Sequence, residues 1–171
     1  YYAGGFFDDS NEMIARTAEE FRKTGINLFT NHEVLEVDFD NKKLRVKDLI
    51  QNMIIEESYD KLMIASGASS IIPPIKGIDS ENVLTLKSMD DGNKLRALME
   101  NENLKRVTVI GAGFIGVEAV EAAKKRGKEV TVVQLQDRIL AEVFDEEITN
   151  LLEEEIRKHD VNLLLDETVM E

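Results

Sequence analysis

The chain has 171 residues, 43% of them hydrophobic, and sets 34 acidic side chains against 21 basic ones for a formal charge of -13. That length allows one domain or parts of two, and that apolar content argues for a globular core over wholesale disorder. The negative balance disfavours nucleic acid as a partner, and the absence of cysteine excludes disulfides, thiolate metal sites and a cysteine nucleophile from this stretch. His32 and His159 lie far apart in sequence and read as solvated side chains, with no metal site between them. No apolar run approaches the roughly 20 residues that span a bilayer, and no leader pattern opens the sequence. A soluble cytoplasmic protein is expected. The first residue is Tyr1, and Glu171 falls within "NLLLDETVME", which reads as strand, turn and the start of another strand. An excised segment of a longer protein is therefore expected.

In chain order, Thr17-Ala-Glu-Glu20 forms a capping box ahead of Phe21. With Met13, Ile14, Thr17 and Phe21 on one side, residues 11–24 read as a helix or two short helical turns, closed by Gly25. The runs "INLFT", "HEVLEVDFD", "KKLRVKDLI", "NMIIEE" and "YDKLMIAS" are short, rich in Val, Ile and Leu, and separated by polar turns such as Asp40-Asn41. They predict a β-meander followed by one buried strand. "GASSIIPPIKGID" holds both prolines and marks a crossover, the boundary between residues 1–73 and 74–171.

Beyond it the rhythm becomes αβαβαβ. Ser88 and Asp91 pair as a helix cap, with Leu95, Leu98 and Met99 turned inward. "RVTVI" reads as a strand buried on both faces. A helix over 114–126 ends at Gly127, and "EVTVVQL" is the next strand. Asp145 caps a helix with the inner stripe Ile148, Leu151, Leu152 and Ile156. Its outer face carries Glu153–Arg157 and Glu154–Lys158 at i,i+4 spacing, a solvated acidic face. "VNLLL" is the third strand.

Gly111-Ala-Gly113-Phe-Ile-Gly116 follows a predicted strand and opens a predicted helix inside a βαβ unit, the context in which G-x-G-x-x-G marks a dinucleotide site. Gly111 allows the tight turn, Gly113 lets backbone approach a pyrophosphate, and Gly116 lets helix pack closely on strand. The helix start offers N–H groups and partial positive charge to phosphate. At the end of the second strand, where an acidic residue would hold the adenosine ribose of NAD, the chain has Gln134. An amide bonds a hydroxyl without charge assistance and does not repel a 2′-phosphate. Arg138 is either a ligand of such a phosphate or a surface arginine. NAD over NADP is a lean.

These residues, with "YYAGG", "ARTAEEFRKTGI", "YDKLMIASGASSIIPPIKGI" and "NVLTLKSMDD", resemble the FAD-dependent pyridine nucleotide-disulfide oxidoreductases over essentially the whole chain. The branch most resembled is that of coenzyme A-disulfide reductases and NADH oxidases. The resemblance implies an α/β fold: a Rossmann-like NAD(P)-binding βαβ sheet plus part of an FAD domain with its β-meander. Residues 1–73 would be the later part of the FAD domain and 74–171 most of the NAD(P) domain. In this branch a segment like Tyr1-Tyr2-Ala3-Gly4-Gly5 follows the redox cysteine. A dimerisation domain elsewhere in the family implies a homodimer for the whole protein.

Residue roles follow from the same resemblance. Gly111, Gly113 and Gly116, with the N–H groups of Phe114 and Ile115, would hold the NAD(P) pyrophosphate. Phe114 matches an aromatic that shields the flavin and swings aside for nicotinamide, or packs in the core. Glu118 sits near the nicotinamide amide, or serves the helix dipole. Ala65-Ser66-Gly67 matches an element beside FAD, and Val34 a backbone contact to adenine. The implied cofactors are NAD(P)H and FAD, and the implied reaction is hydride transfer from NAD(P)H to flavin and on to a disulfide, dioxygen or peroxide. The chain by itself is expected to be inactive. Two other readings of the glycine motif are a plain NAD-dependent dehydrogenase and a non-catalytic nucleotide-binding module.

Overall fold

The structure, a computed structural model, describes residues 2–170; Tyr1 of "YYAGG" and Glu171 of "DETVME" lie outside the described residues. The chain forms two compact units, one of Ile14–Ala68 and one joining the first 13 residues to those from Ser69 onward.

In the Ile14–Ala68 unit, the predicted capping box forms. Thr17 N–H donates to Glu20 Oε2 at 2.7 Å, and Glu20 N–H donates to Thr17 Oγ1 at 3.3 Å. The helix it starts, α1 (Ala18–Lys23), is short. The rest of the predicted 11–24 helix is a separate 3-10 turn, Ser10–Met13, which belongs to the other unit. Gly25 ends α1 with φ +83. Strands β1 (His32–Asp38), β2 (Lys43–Asp48) and β3 (Met53–Ser58) make the antiparallel meander in the order β1-β2-β3. Val34 pairs with Val46, and Val46 with Ile55. A bulge separates Val34 from Glu36. The β2–β3 turn is fixed by the Asp48 carboxylate, which accepts from Ile50 N–H at 2.8 Å and Gln51 N–H at 3.0 Å.

Two expected strands do not form here. "INLFT" has no ladder. "YDKLMIAS", expected as a buried strand, joins no ladder and bends at Asp60 and Lys61, with Met63 at 88% and Ile64 at 66% exposure. A strand exists only through a partner's hydrogen bonds, and Tyr59 N–H turns back to Lys42 carbonyl (3.0 Å) as the chain leaves β3.

The second unit is built on a parallel sheet, β4 (Arg106–Ile110), β5 (Glu129–Val133) and β6 (Val161–Leu164), in that order. Val109 pairs with Val132 and Val132 with Leu163. Helix α2 (Met89–Glu100) precedes β4, α3 (Phe114–Lys125) joins β4 to β5, and α4 (Glu146–Lys158) joins β5 to β6. The Ser88–Asp91 box caps α2 as predicted, with Met99 buried. The core gathers Met99, Ala112, Val120, Ala123, Val130, Val132, Ile139 and Val161.

β4 corrects the expectation of burial on both faces. Val107 and Val109 face the core, while Arg106, Thr108 and Ile110 are exposed. The strand is covered on one side only, so its apolar run reads as more buried than it is. The α4 stripe also differs. Its buried residues are Thr149 and Glu153, with Leu152 and Ile156 half-buried, while Ile148 and Leu151 are exposed. Glu153 does pair with Arg157 at 3.1 Å, but from inside: its Oε1 accepts from Ile139 N–H at 3.2 Å. A carboxylate with a buried N–H to satisfy is drawn inward where an apolar side chain would leave that donor orphaned. Lys158 pairs with Glu155 (3.3 Å) and not with Glu154. After β6 no further strand forms within 167–170. Asp166 and Glu167 N–H groups bond the carbonyls of Gln136 and Gln134, each at 3.0 Å.

Residues 2–8 pack on α2 and α3. Arg96 lies over the Tyr2 ring at 4.6 Å and donates to the carbonyls of Phe7 (2.7 Å) and Asp8 (3.1 Å). Lys125 lies over Phe6. Contacts thus group this segment with the parallel sheet, whereas the division expected at 73/74 comes from the resemblance.

Candidate dinucleotide site

The glycine loop lies at the carboxyl end of β4, where ligands bind in open parallel sheets. Gly111 has φ +92, the left-handed region that favours glycine, and its N–H bonds Val133 carbonyl at 2.8 Å. A Cβ on Gly116 would stand 2.0 Å from Gly111 carbonyl oxygen and 3.5 Å from Val109 Cγ1. Only a bare α-carbon lets α3 start this close to β4. Gly113 differs from both. Its φ of -77 suits any residue, and a Cβ there would meet nothing within 4 Å. The space in front of Gly113 is open, as a backbone cradle for a phosphate requires. Gly113 is also the N-cap of α3 and carries no capping side chain, so the first N–H groups of the helix are left to a ligand or solvent.

Between the glycines, Ala112 is 2% exposed. Its N–H donates to Gln134 Oε1 at 2.8 Å, and its carbonyl accepts from Leu140 N–H at 3.0 Å. Gln134 is buried, and its Nε2 donates onward to Gln136 Oε1 and Arg138 carbonyl. Arg138 is partly covered. Its Nε lies 3.7 Å from Asp137 Oδ1, and its Nη1 is buried with no hydrogen-bond partner.

Phe114 and Ile115, at the first turn of α3, are 56% and 62% exposed. Glu118 is exposed one turn further. The Phe114 ring meets Phe144 edge-to-face, centroids 6.0 Å apart at 81°. The sequence reading did not single out Phe144; the only signal available was its place just before the Asp145 cap. The structure therefore brings Gly111, Gly113, Phe114, Ile115, Gly116, Glu118, Gln134 and Arg138 into one unit. Val34, beside the β1 bulge, and Ala65, Ser66 and Gly67 lie in the other. All four are exposed, and Gly67 has φ +77.

A broad concavity of about 840 Å³ is lined by residues 103–108, 129–131, Asp160 and Asn162. It lies at the amino ends of the strands, the wrong end for a nucleotide in this topology. No helix among the described residues is long and apolar enough to cross a membrane, and no metal-ligating cluster occurs among them.

Over 170 residues the chain is 38% identical to the NADH oxidase of Lactococcus lactis subsp. cremoris, covering 99% of this chain and 38% of that protein. It is 40% identical over 151 residues to the NAD(P)H sulfur oxidoreductase (CoA-dependent) of Pyrococcus abyssi, 87% of this chain and 32% of that protein. Among solved structures, the water-forming NADH oxidase from Lactobacillus brevis bound to NADH aligns with a TM-score of 0.88 at 39% identity, over 98% of this chain and 37% of that one. The chain spans well under half the length of these relatives. Residues 6–171 match the family described as pyridine nucleotide-disulphide oxidoreductase, and the chain belongs to that family.

Proposed function

We propose that residues 74–171 are the NAD(P)H-binding part, and residues 1–73 part of the FAD-binding domain, of a flavoprotein oxidoreductase. That enzyme passes hydride from NAD(P)H to FAD and on to a disulfide such as coenzyme A disulfide, to dioxygen or to peroxide. The observation that carries the reading is the open space in front of Gly113, framed by a left-handed Gly111 and a sterically obligatory Gly116.

Bound flavin and nicotinamide would supply the redox chemistry. This chain's residues would hold and orient them. Gly111, Gly113 and Gly116, with the N–H groups of Phe114 and Ile115, take the pyrophosphate. Phe114 covers or uncovers the nicotinamide side, and Glu118 lies near the nicotinamide amide. Gln134 and Arg138 stand at the adenosine-ribose end. Val34 and Ala65-Ser66-Gly67 contribute a minor part of the flavin site. The chain has no cysteine, so it supplies no thiol to the second half-reaction and has no oxidoreductase activity alone. The whole protein is a cytoplasmic homodimer.

Calorimetric titration of the 171-residue chain with NADH and NADPH tests this. Saturable binding of a dinucleotide at one site per chain is expected. Absence of binding at millimolar nucleotide, an affinity weaker than about -4 kcal/mol, would remove the reading.

A further inference from the structure

Gln134 follows β5 directly, at the point where a Rossmann-type sheet meets the adenosine ribose. Yet it is only 8% exposed, and both ends of its amide are engaged by the protein. Oε1 accepts from Ala112 N–H at 2.8 Å, while Nε2 donates to Arg138 carbonyl at 3.3 Å and to Gln136 Oε1 at 3.0 Å. A backbone donor on one side and a backbone acceptor on the other fix which end is which; the reversed amide would set donor against donor and acceptor against acceptor. Ala112 is held from its other side by Leu140 N–H. Leu140 adopts φ +50, a conformation unfavourable for leucine that persists only where surrounding structure imposes it. The segment between Gly111 and Gly113 is thus clamped between the Gln134 side chain and the Leu140 backbone.

We infer that Gln134 is a positioning residue that presets the glycine loop through Ala112 and makes no ribose contact, so that Gln134 itself does not discriminate NADH from NADPH. This rests on the nucleotide reading above. A carboxylate at 134 would keep the Ala112 bond but turn its second oxygen on the Arg138 carbonyl, acceptor against acceptor. The turn over 135–138 in this chain is matched to an amide. Being neutral and internally bonded, Gln134 gives the 2′-hydroxyl no charged acceptor and a 2′-phosphate no repulsion.

Hydrogen exchange at the Ala112 amide, followed by NMR without nucleotide, reads the clamp independently of binding. Gln134→Met keeps the side chain's length and removes both bonds. It should speed Ala112 exchange by about tenfold or more while β5 amides stay protected, the scale of one lost hydrogen bond. It should weaken NADH and NADPH by a common factor of about threefold to tenfold, with their affinity ratio kept within about twofold. Gln134→Glu retains the acceptor and should leave Ala112 exchange close to the parent's. Unchanged Ala112 exchange in Gln134→Met overturns the clamp. A ratio that moves by more than about fivefold in Gln134→Met, close to 1 kcal/mol, reveals a direct ribose contact and overturns it too. Should Gln134→Met lose protection throughout β5, Gln134→Glu decides: parent-like exchange at Ala112 supports the inference, and fast exchange there with β5 intact overturns it. If the parent binds neither nucleotide while Ala112 exchange responds as stated, the nucleotide reading fails and the clamp remains.

Discussion

The three glycines of the loop have the same side chain and three different reasons for it, which separates their substitutions. Gly113 has ordinary dihedrals and open space where a Cβ would stand. Gly113→Val should therefore keep the fold, melting within a few degrees of the parent, while its branched side chain fills the phosphate position. NADH affinity should fall by at least about tenfold, or 1.4 kcal/mol. A folded Gly113→Val that binds NADH as the parent does would place the phosphate cradle elsewhere. At Gly116 the added methyl would sit 2.0 Å from Gly111 carbonyl oxygen. Helix α3 would have to lift off β4, and overpacking of this kind costs about 1–3 kcal/mol or more. Gly116→Ala should show that loss in urea denaturation, and an unchanged midpoint would contradict the packing described. The backbone geometry expected of Gly111 and Gly116 was legible because the motif encodes the turn and the close helix start. Sequence alone could not foresee Gln134, whose engagement depends on Ala112, Gln136 and Arg138 meeting in space.

Among the elements, α2 was the most legible, because its start rests on a local device. Asp91 accepts from the N–H groups of Ser88 at 2.9 Å and Lys87 at 3.0 Å, and Ser88 Oγ accepts from Asp91 N–H at 3.2 Å. Ser88→Ala should cost about 1 kcal/mol, read as a lowered thermal midpoint of the second unit. The backbone N–H of Ser88, then that of Lys87, holds the Asp91 carboxyl below the ordinary aspartate value. A depressed folded value means that this contribution is present above the unfolded carboxylate range. It is lost as pH falls through the folded value, below about pH 4. Asp91→Asn should flatten part of the acid-side decline in stability; an acid limb identical to the parent's would show that the carboxylate contributes nothing. Helix α4 was misread for an instructive reason. An apolar stripe predicts an inward face only where apolar burial decides the rotation, and here Ile139 N–H requires an acceptor that Glu153 supplies from inside. The meander was legible as alternation and turn chemistry, but alternation does not report coverage. Val46 is the sole buried residue among positions 14–68, and three strands without a packed face are marginal in water. Amides of β1–β3 should exchange faster than those of β4–β6 in a single hydrogen-exchange experiment; equal protection would refute this.

For the molecule as a whole, the glycine motif, the βαβ rhythm and the quoted segments were enough to reach the family, since each is a local pattern. The exposed condition of 63–66 was not legible, because an apolar run announces a need for burial without saying what covers it. Met63, Ile64, Ile71 and Ile72, which flank in sequence the Ala65-Ser66-Gly67 segment proposed for flavin, are all more than half exposed. That arrangement bears on what the 171-residue chain retains by itself. The flavin contacts proposed for it are Val34 and residues 65–67, all exposed. Binding any ligand first costs about 4 kcal/mol or more in lost translational and rotational freedom, and four surface positions do not repay it. The chain should therefore purify colourless and take up no stoichiometric FAD on incubation, while the complete glycine loop of the second unit still binds NAD(P)H. Absorbance at about 450 nm, where the flavin itself supplies the colour, measured alongside the nucleotide titration, checks both halves. A stoichiometric flavin band would mean that residues 34 and 65–67 belong to a far more complete site than these contacts provide.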